Sequence, residues 1–125
     1  MKHVKLAIIG GGPAGLAAAA AARRSGVEDI LIIERDSRLG GILNQCIHAG
    51  FGLPTFGQEL RGPEYAQRFI DQVTELNIPC LLDTMVLDLS EERILTVPRR
   101  AEGLQQIKAD AVILAMAAVS GPAAH

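Results

Sequence analysis

Val4-Lys5-Leu6-Ala7-Ile8-Ile9-Gly10-Gly11-Gly12-Pro13-Ala14-Gly15 decides how this chain folds, and the alanine run Leu16 to Ala22 follows it directly. The first half is an apolar, strand-like run that stops at Gly10. The second half sets glycines at the three G-x-G-x-x-G positions, Gly10, Gly12 and Gly15, and passes at once into a helical pattern. Strand, glycine loop and helix in that order make the pattern a dinucleotide-binding fingerprint. Gly10 permits the tight turn out of the strand, Gly12 keeps side-chain atoms away from a pyrophosphate, and Gly15 lets helix and strand pack closely. Pro13 at the first helical position sacrifices no hydrogen bond. The free N–H groups of that first turn, Ala14 among them, and the positive end of the helix dipole attract an anion.

A glycine pattern alone is weak, and the following residues strengthen it. Gly26 closes the helix, and Ile30-Leu31-Ile32-Ile33 is a short, wholly apolar run that reads as a parallel strand buried on both faces. Glu34 ends that run, 19 residues beyond Gly15. At this spacing a carboxylate at the end of the second strand accepts hydrogen bonds from an adenosine ribose, and it repels a 2′-phosphate.

Composition narrows the partners. With 125 residues, 49% of them hydrophobic and 21% charged, one globular domain with an ordinary core is expected. A net charge of −2, with Arg23-Arg24 and Arg99-Arg100 as isolated basic pairs, offers no field to draw nucleic acid or anionic lipid. Cys46 and Cys80 form neither a metal-spaced cluster nor a C-x-x-C, which suits a reducing cytoplasm, and no metal is expected. Gly10-Gly11-Gly12-Pro13 interrupts what would be the apolar region of a secretory signal. The apolar run Ala111 to Val119 is shorter than the roughly 20 residues a membrane helix needs.

After the acid comes Arg35-Asp36-Ser37-Arg38-Leu39-Gly40-Gly41, and an acid followed after five residues by a Gly-Gly pair resembles the signature of the two-dinucleotide-binding-domain flavoproteins. That group includes glutathione reductase-like and amine or sarcosine oxidase-like enzymes. The stretch Gly41-Ile42-Leu43-Asn44-Gln45-Cys46-Ile47-His48-Ala49-Gly50-Phe51-Gly52 looks most like the members related to sarcosine oxidase α-subunits and to proteins accompanying glycerol-3-phosphate dehydrogenases. The similarity runs from Lys5 to about Met116 and is most specific over its first part. It implies that the first glycine loop binds FAD, with Gly40 and Gly41 approaching the cofactor from the far side of the pyrophosphate. Disulfide reductases of the group carry two cysteines soon after the Gly-Gly pair; only Cys46 stands here, which disfavours thiol–disulfide chemistry. His48 is a candidate acid–base residue, and a solvated or structural histidine is the plainer reading.

Downstream, residues 51–61 form an irregular, glycine-containing loop, and Gly62-Pro63-Glu64 starts a helix. Ala66, Phe69, Ile70, Val73 and Leu76 make its apolar face, while Gln67, Arg68, Asp71 and Glu75 face outward. Asn77 and Pro79 end it, and Cys80-Leu81-Leu82 reads as a third parallel strand in which Cys80 is a small buried hydrophobe. Three short segments, Met85 to Leu89, Ile94 to Val97 and Leu104 to Ile107, suggest an antiparallel meander, after which Ala111 to Ala115 is a fourth, wholly apolar parallel strand.

The expectation is therefore an α/β, doubly wound, Rossmann-like parallel sheet with an antiparallel meander, a domain over residues 1–118 and a flexible tail over 119–125. The resemblance implies the flavin-binding portion of an FAD-dependent oxidoreductase, weakly active or inactive alone, since its relatives continue into substrate and pyridine-nucleotide domains. Its cofactor-binding residues would be Gly10, Gly12, Pro13, Ala14, Gly15, Glu34, Arg35, Gly40 and Gly41, with no catalytic acid or base assigned. The partners expected are an adenine dinucleotide and a second subunit that completes the flavin site. Two alternatives stay open: a non-catalytic dinucleotide-binding fragment or subunit, and an NAD-dependent dehydrogenase domain.

Overall fold

Apolar strands too uniformly hydrophobic to face water set the architecture, because both of their faces must be covered. The computed structural model describes residues 1–40, 62–99 and 103–115. Its elements in chain order are β1 (Lys2–Ile9), α1 (Pro13–Arg24), β2 (Ile30–Ile33), α2 (Gly62–Glu75), β3 (Cys80–Leu81), β4 (Asp88–Leu89), β5 (Ile94–Arg99) and β6 (Gly103–Leu114). They form one six-stranded mixed sheet in the order β3-β2-β1-β6-β5-β4. β1, β2, β3 and β6 run parallel, with Ile8 opposite both Ile32 and Ile113. β5 runs antiparallel to β6, and β4 antiparallel to β5.

The two faces are filled differently. On one, Leu6, Ile8, Ile30 and Ile32 meet Leu16 and Ala19 of α1 and Phe69 and Val73 of α2. On the other, Val4, Ala7, Ile9, Leu31 and Ile33 pack with Leu95, Val97, Ile107 and Ala109 of the meander strands. Val4 joins Ala7 although they are three residues apart. The N–H groups of Lys5 and Leu6 both donate to the Asp29 carbonyl at 3.1 Å, a bulge-like kink that breaks the two-residue alternation.

Both helices end as their sequences dictate. Arg23 in the last turn of α1 donates to the carbonyls of Val27 (3.2 Å), Glu28 (2.8 Å) and Leu76, tying that turn to the end of α2. Asn77 follows α2 in the left-handed region at φ 54°, a conformation asparagine tolerates. The expected apolar face of α2 is turned inward, with Ala66, Phe69 and Val73 buried, and Gln67, Arg68, Asp71 and Glu75 are exposed.

Four sequence expectations change. The third meander segment and the fourth parallel strand are one strand, Gly103–Leu114. No glycine or proline interrupts Lys108-Ala109-Asp110, and the strand serves two ladders in succession: Ile107 and Lys108 pair with Leu95 and Ile94 on one side and with Lys2 and His3 on the other. The strand expected over 80–82 is only Cys80–Leu81, and that expected over 85–89 is only Asp88–Leu89. Most notably, the apolar end of β6 is not buried, with Ile113 36% and Leu114 63% exposed. The expected tail at 119–125 and the loop at 51–61 lie outside the described residues, as do Asn44, Cys46 and His48.

Candidate functional site

The site grows from the carboxyl ends of β1 and β2. At the end of β1, Gly10 takes φ 116°, a left-handed turn that favours glycine, while its N–H stays bonded to the Ile33 carbonyl at 2.8 Å. The chain then enters α1 at Gly12, which caps the helix without a side-chain hydrogen bond, and Pro13 occupies the first turn with no acidic residue beside it. Among the described residues no side chain caps this turn, and its N–H groups and the positive end of the dipole favour an anionic acceptor. Gly15 sits against the loop: a Cβ there would lie 2.0 Å from the Gly10 carbonyl oxygen, a backbone atom that cannot step aside.

Glu34 at the end of β2 is the buried charged residue of the described core, 7% exposed. Its Oε1 accepts the Gly11 N–H at 2.6 Å and its Oε2 accepts the Asp36 N–H at 2.8 Å. Its backbone is held as well, the N–H by the Leu81 carbonyl (2.8 Å) and the carbonyl by the Thr84 N–H (3.0 Å). An ionised carboxylate has about four lone-pair positions, so two backbone bonds leave acceptor capacity for further donors.

Gly40 closes the arrangement. It is buried, has φ 108°, and donates its N–H to the Gly11 carbonyl at 2.7 Å. The first glycine loop, the acid and Gly40, separate in sequence, therefore meet at one residue, Gly11. Gly41 lies outside the described residues. Ala14 and Arg35 are exposed on the segments flanking this junction, and Pro13 is half-buried.

Sequence reasoning picked out Gly10, Gly12 and Gly15 but passed over Gly11, which occupies a variable position of the fingerprint. Three consecutive glycines were the available signal. A Cβ at Gly11 would stand 2.6 Å from Leu39 Cδ2 and 3.1 Å from both Cβ and Oε1 of Glu34.

A shallow cleft lined by Ser37, Arg38, Leu39, Gln67, Ile70 and Leu82 adjoins the junction on the α2 side. Another, lined by Met1, Lys2, Thr96, Leu104, Gln105 and Gln106, lies at the opposite end of β1. Cys80 is half-buried, and burial pushes its thiol above the ordinary range by disfavouring the thiolate. Among the described residues no group of three or more His, Cys, Asp and Glu side chains could hold a metal, and no helix is long and apolar enough to cross a membrane.

Comparison with known proteins gives the arrangement its relatives. The family profile of the NAD(P)-binding Rossmann-like domain matches residues 8–73, from within β1 through most of α2. A thioredoxin reductase of Ureaplasma parvum is 38% identical over 79 residues, covering 62% of this chain and 24% of the relative. Thioredoxin reductase from Streptococcus pyogenes superposes with a TM-score of 0.75 at 26% identity, covering 94% of this chain and 36% of that one. L-proline dehydrogenase from P. horikoshii does so with a TM-score of 0.73 at 28% identity, covering 94% and 23%. The chain thus spans about a quarter of the length of the curated thioredoxin reductase it matches. With more than half of its residues inside the family profile, and with the sheet and glycine junction described above, the chain belongs to the NAD(P)-binding Rossmann-like domains of FAD/NAD(P)-dependent oxidoreductases.

Proposed function

We propose that this chain is the part of an FAD-dependent oxidoreductase that grips the adenosine and pyrophosphate half of the flavin dinucleotide. The observation that carries the reading is Gly11, next to the start of α1, where no side chain caps the helix: its N–H donates to the buried Glu34 carboxylate and its carbonyl accepts from Gly40. A pyrophosphate needs backbone approach without side chains and N–H donors in excess; a ribose needs an ionised acceptor at fixed distance from them. Gly12, Pro13, Ala14 and Gly15 would hold the pyrophosphate. Glu34 would accept from the ribose hydroxyls, with Arg35 beside it, and Gly40 and Gly41 would flank the cofactor.

FAD, when bound, would supply the hydride chemistry. The chain's own part is to bind and orient: the loop fixes the phosphates, and the carboxylate fixes the sugar and disfavours a 2′-phosphate. No described side chain is assigned to proton transfer. A second subunit or further domains would complete the flavin site, and without them turnover should be near that of free FAD, because an open isoalloxazine ring has no substrate pocket and no exclusion of water. NAD is the competing ligand, since the family is described by NAD(P) binding.

A visible absorption spectrum of the purified chain, followed by titration with FAD, NAD and NADP, tests the proposal. FAD should bind in preference to NADP. A chain that binds NADP more tightly than both other dinucleotides contradicts the assignment of Glu34 to the ribose.

A further inference from the structure

Both carboxylate oxygens of Glu34 accept backbone N–H groups, and one of the two donors, Gly11, sits at a position the fingerprint leaves open to any residue. We propose that Gly11 is a specificity-determining residue: it anchors the Glu34 carboxylate so that the site rejects a 2′-phosphorylated adenine dinucleotide. The inference rests on the reading of this loop as an adenine-dinucleotide site.

A glutamate at the end of a strand has rotatable side-chain bonds and can swing its charge away from an incoming phosphate. Here that freedom is removed. Oε1 takes the Gly11 N–H at 2.6 Å and Oε2 the Asp36 N–H at 2.8 Å, and charge-assisted bonds of this kind are the strong ones. Gly11 is itself held through its carbonyl, which accepts the Gly40 N–H at 2.7 Å. Glu34 Oε1 would stand only 3.1 Å from a Cβ at position 11, and Leu39 Cδ2 only 2.6 Å. Any side chain at position 11 must therefore displace the carboxylate, the leucine or the loop. Displacing the leucine costs packing alone; displacing the carboxylate changes what the site accepts.

Titration calorimetry of the full chain with ADP-ribose and with ADP-ribose 2′-phosphate reads this directly. Wild type should favour the unphosphorylated probe by about tenfold or more. Gly11→Ala should lower that ratio by about threefold or more rather than weaken both probes alike. In Gly11→Ala/Leu39→Ala the contact with the leucine is gone, so thermal stability should recover while the ratio stays low; this variant is read if Gly11→Ala alone does not fold. Glu34→Asp adds no atom, keeps the charge and is too short to hold the same bond to Gly11, so its ratio should fall too. Equal loss of both probes in Gly11→Ala, a wild-type ratio in the double variant or in Glu34→Asp, or a wild type that binds both probes equally would overturn the inference while leaving the loop assignment standing. A wild type that binds neither probe would overturn both.

Discussion

Ile30–Ile33 of β2 and Ala111–Leu114 of β6 are nearly the same kind of sequence, ILII and AVIL, and both pair in parallel with the same stretch of β1. Their surroundings differ. All four β2 residues are between 0% and 3% exposed, whereas Ile113 is 36% and Leu114 63% exposed. β2 lies between β1 and β3, with α1 and α2 packed on one face and, on the other, Leu31 and Ile33 in the apolar cluster that also takes in side chains of β1, β5 and β6. The end of β6 has β1 beside it, but the ladder to β5 has already finished at the Ile94–Lys108 pair. An apolar strand sequence reports that its faces can be covered; which elements cover them is decided by topology.

The largest expected effect sharpens this contrast. Ile32→Ala in β2 should cost about 2–5 kcal/mol through lost burial and a cavity between sheet and helices. Leu114→Ala should stay within about 0.5 kcal/mol, as for exposed positions in general. Urea unfolding of the two variants measures both. A comparable large loss in Leu114→Ala would mean that the end of β6 is covered in solution.

The residues that follow the two strands should differ as well. Glu34 comes after β2 and satisfies two backbone donors, so Glu34→Ala should destabilise by about 1–3 kcal/mol, the usual cost of leaving buried polar groups unpaired. Ala115 comes after β6 and contributes a backbone bond to the Ile9 carbonyl at 2.8 Å, which Ala115→Ser would keep. Denaturant midpoints near wild type for Ala115→Ser and well below it for Glu34→Ala are expected; the reverse order would show that the Glu34 carboxylate does not stabilise the end of β2.

Cys80 in β3, the outer neighbour of β2, gives the smallest effect. Burial holds its thiol above the ordinary value of 9.0, so the thiol ionises more readily in the unfolded chain than in the fold. The folded state keeps the extra proton, and the contribution is complete below that value and is lost as pH rises through it and on through the folded value. Unfolding measured from about pH 8 upward should therefore fall less steeply for Cys80→Ala than for wild type. Parallel profiles would show that the thiol does not report the burial of this strand.

How much of this was legible in the sequence follows the range of the signals. The glycine loop, α1, β2 and Glu34 lie within 34 residues of the start, and their order and spacing carry their meaning. The apolar face of α2 was legible for the same reason, because helical periodicity is local. The joining of Leu104–Ile107 to Ala111–Ala115 was not, since it depends on Lys108 finding partners in both β1 and β5. Nor was the role of Gly11, which becomes visible only when the Glu34 carboxylate and the Leu39 side chain are placed around it.

Whether the junction of α1 with β2 holds an adenine dinucleotide is read by calorimetric titration of FAD into wild type and Gly12→Val. Valine at the start of α1 would put a branched side chain where the pyrophosphate must approach the backbone. Wild type should bind measurably, and binding should be lost in a Gly12→Val chain that remains folded by circular dichroism. Equal affinity in the two proteins would contradict binding at this junction.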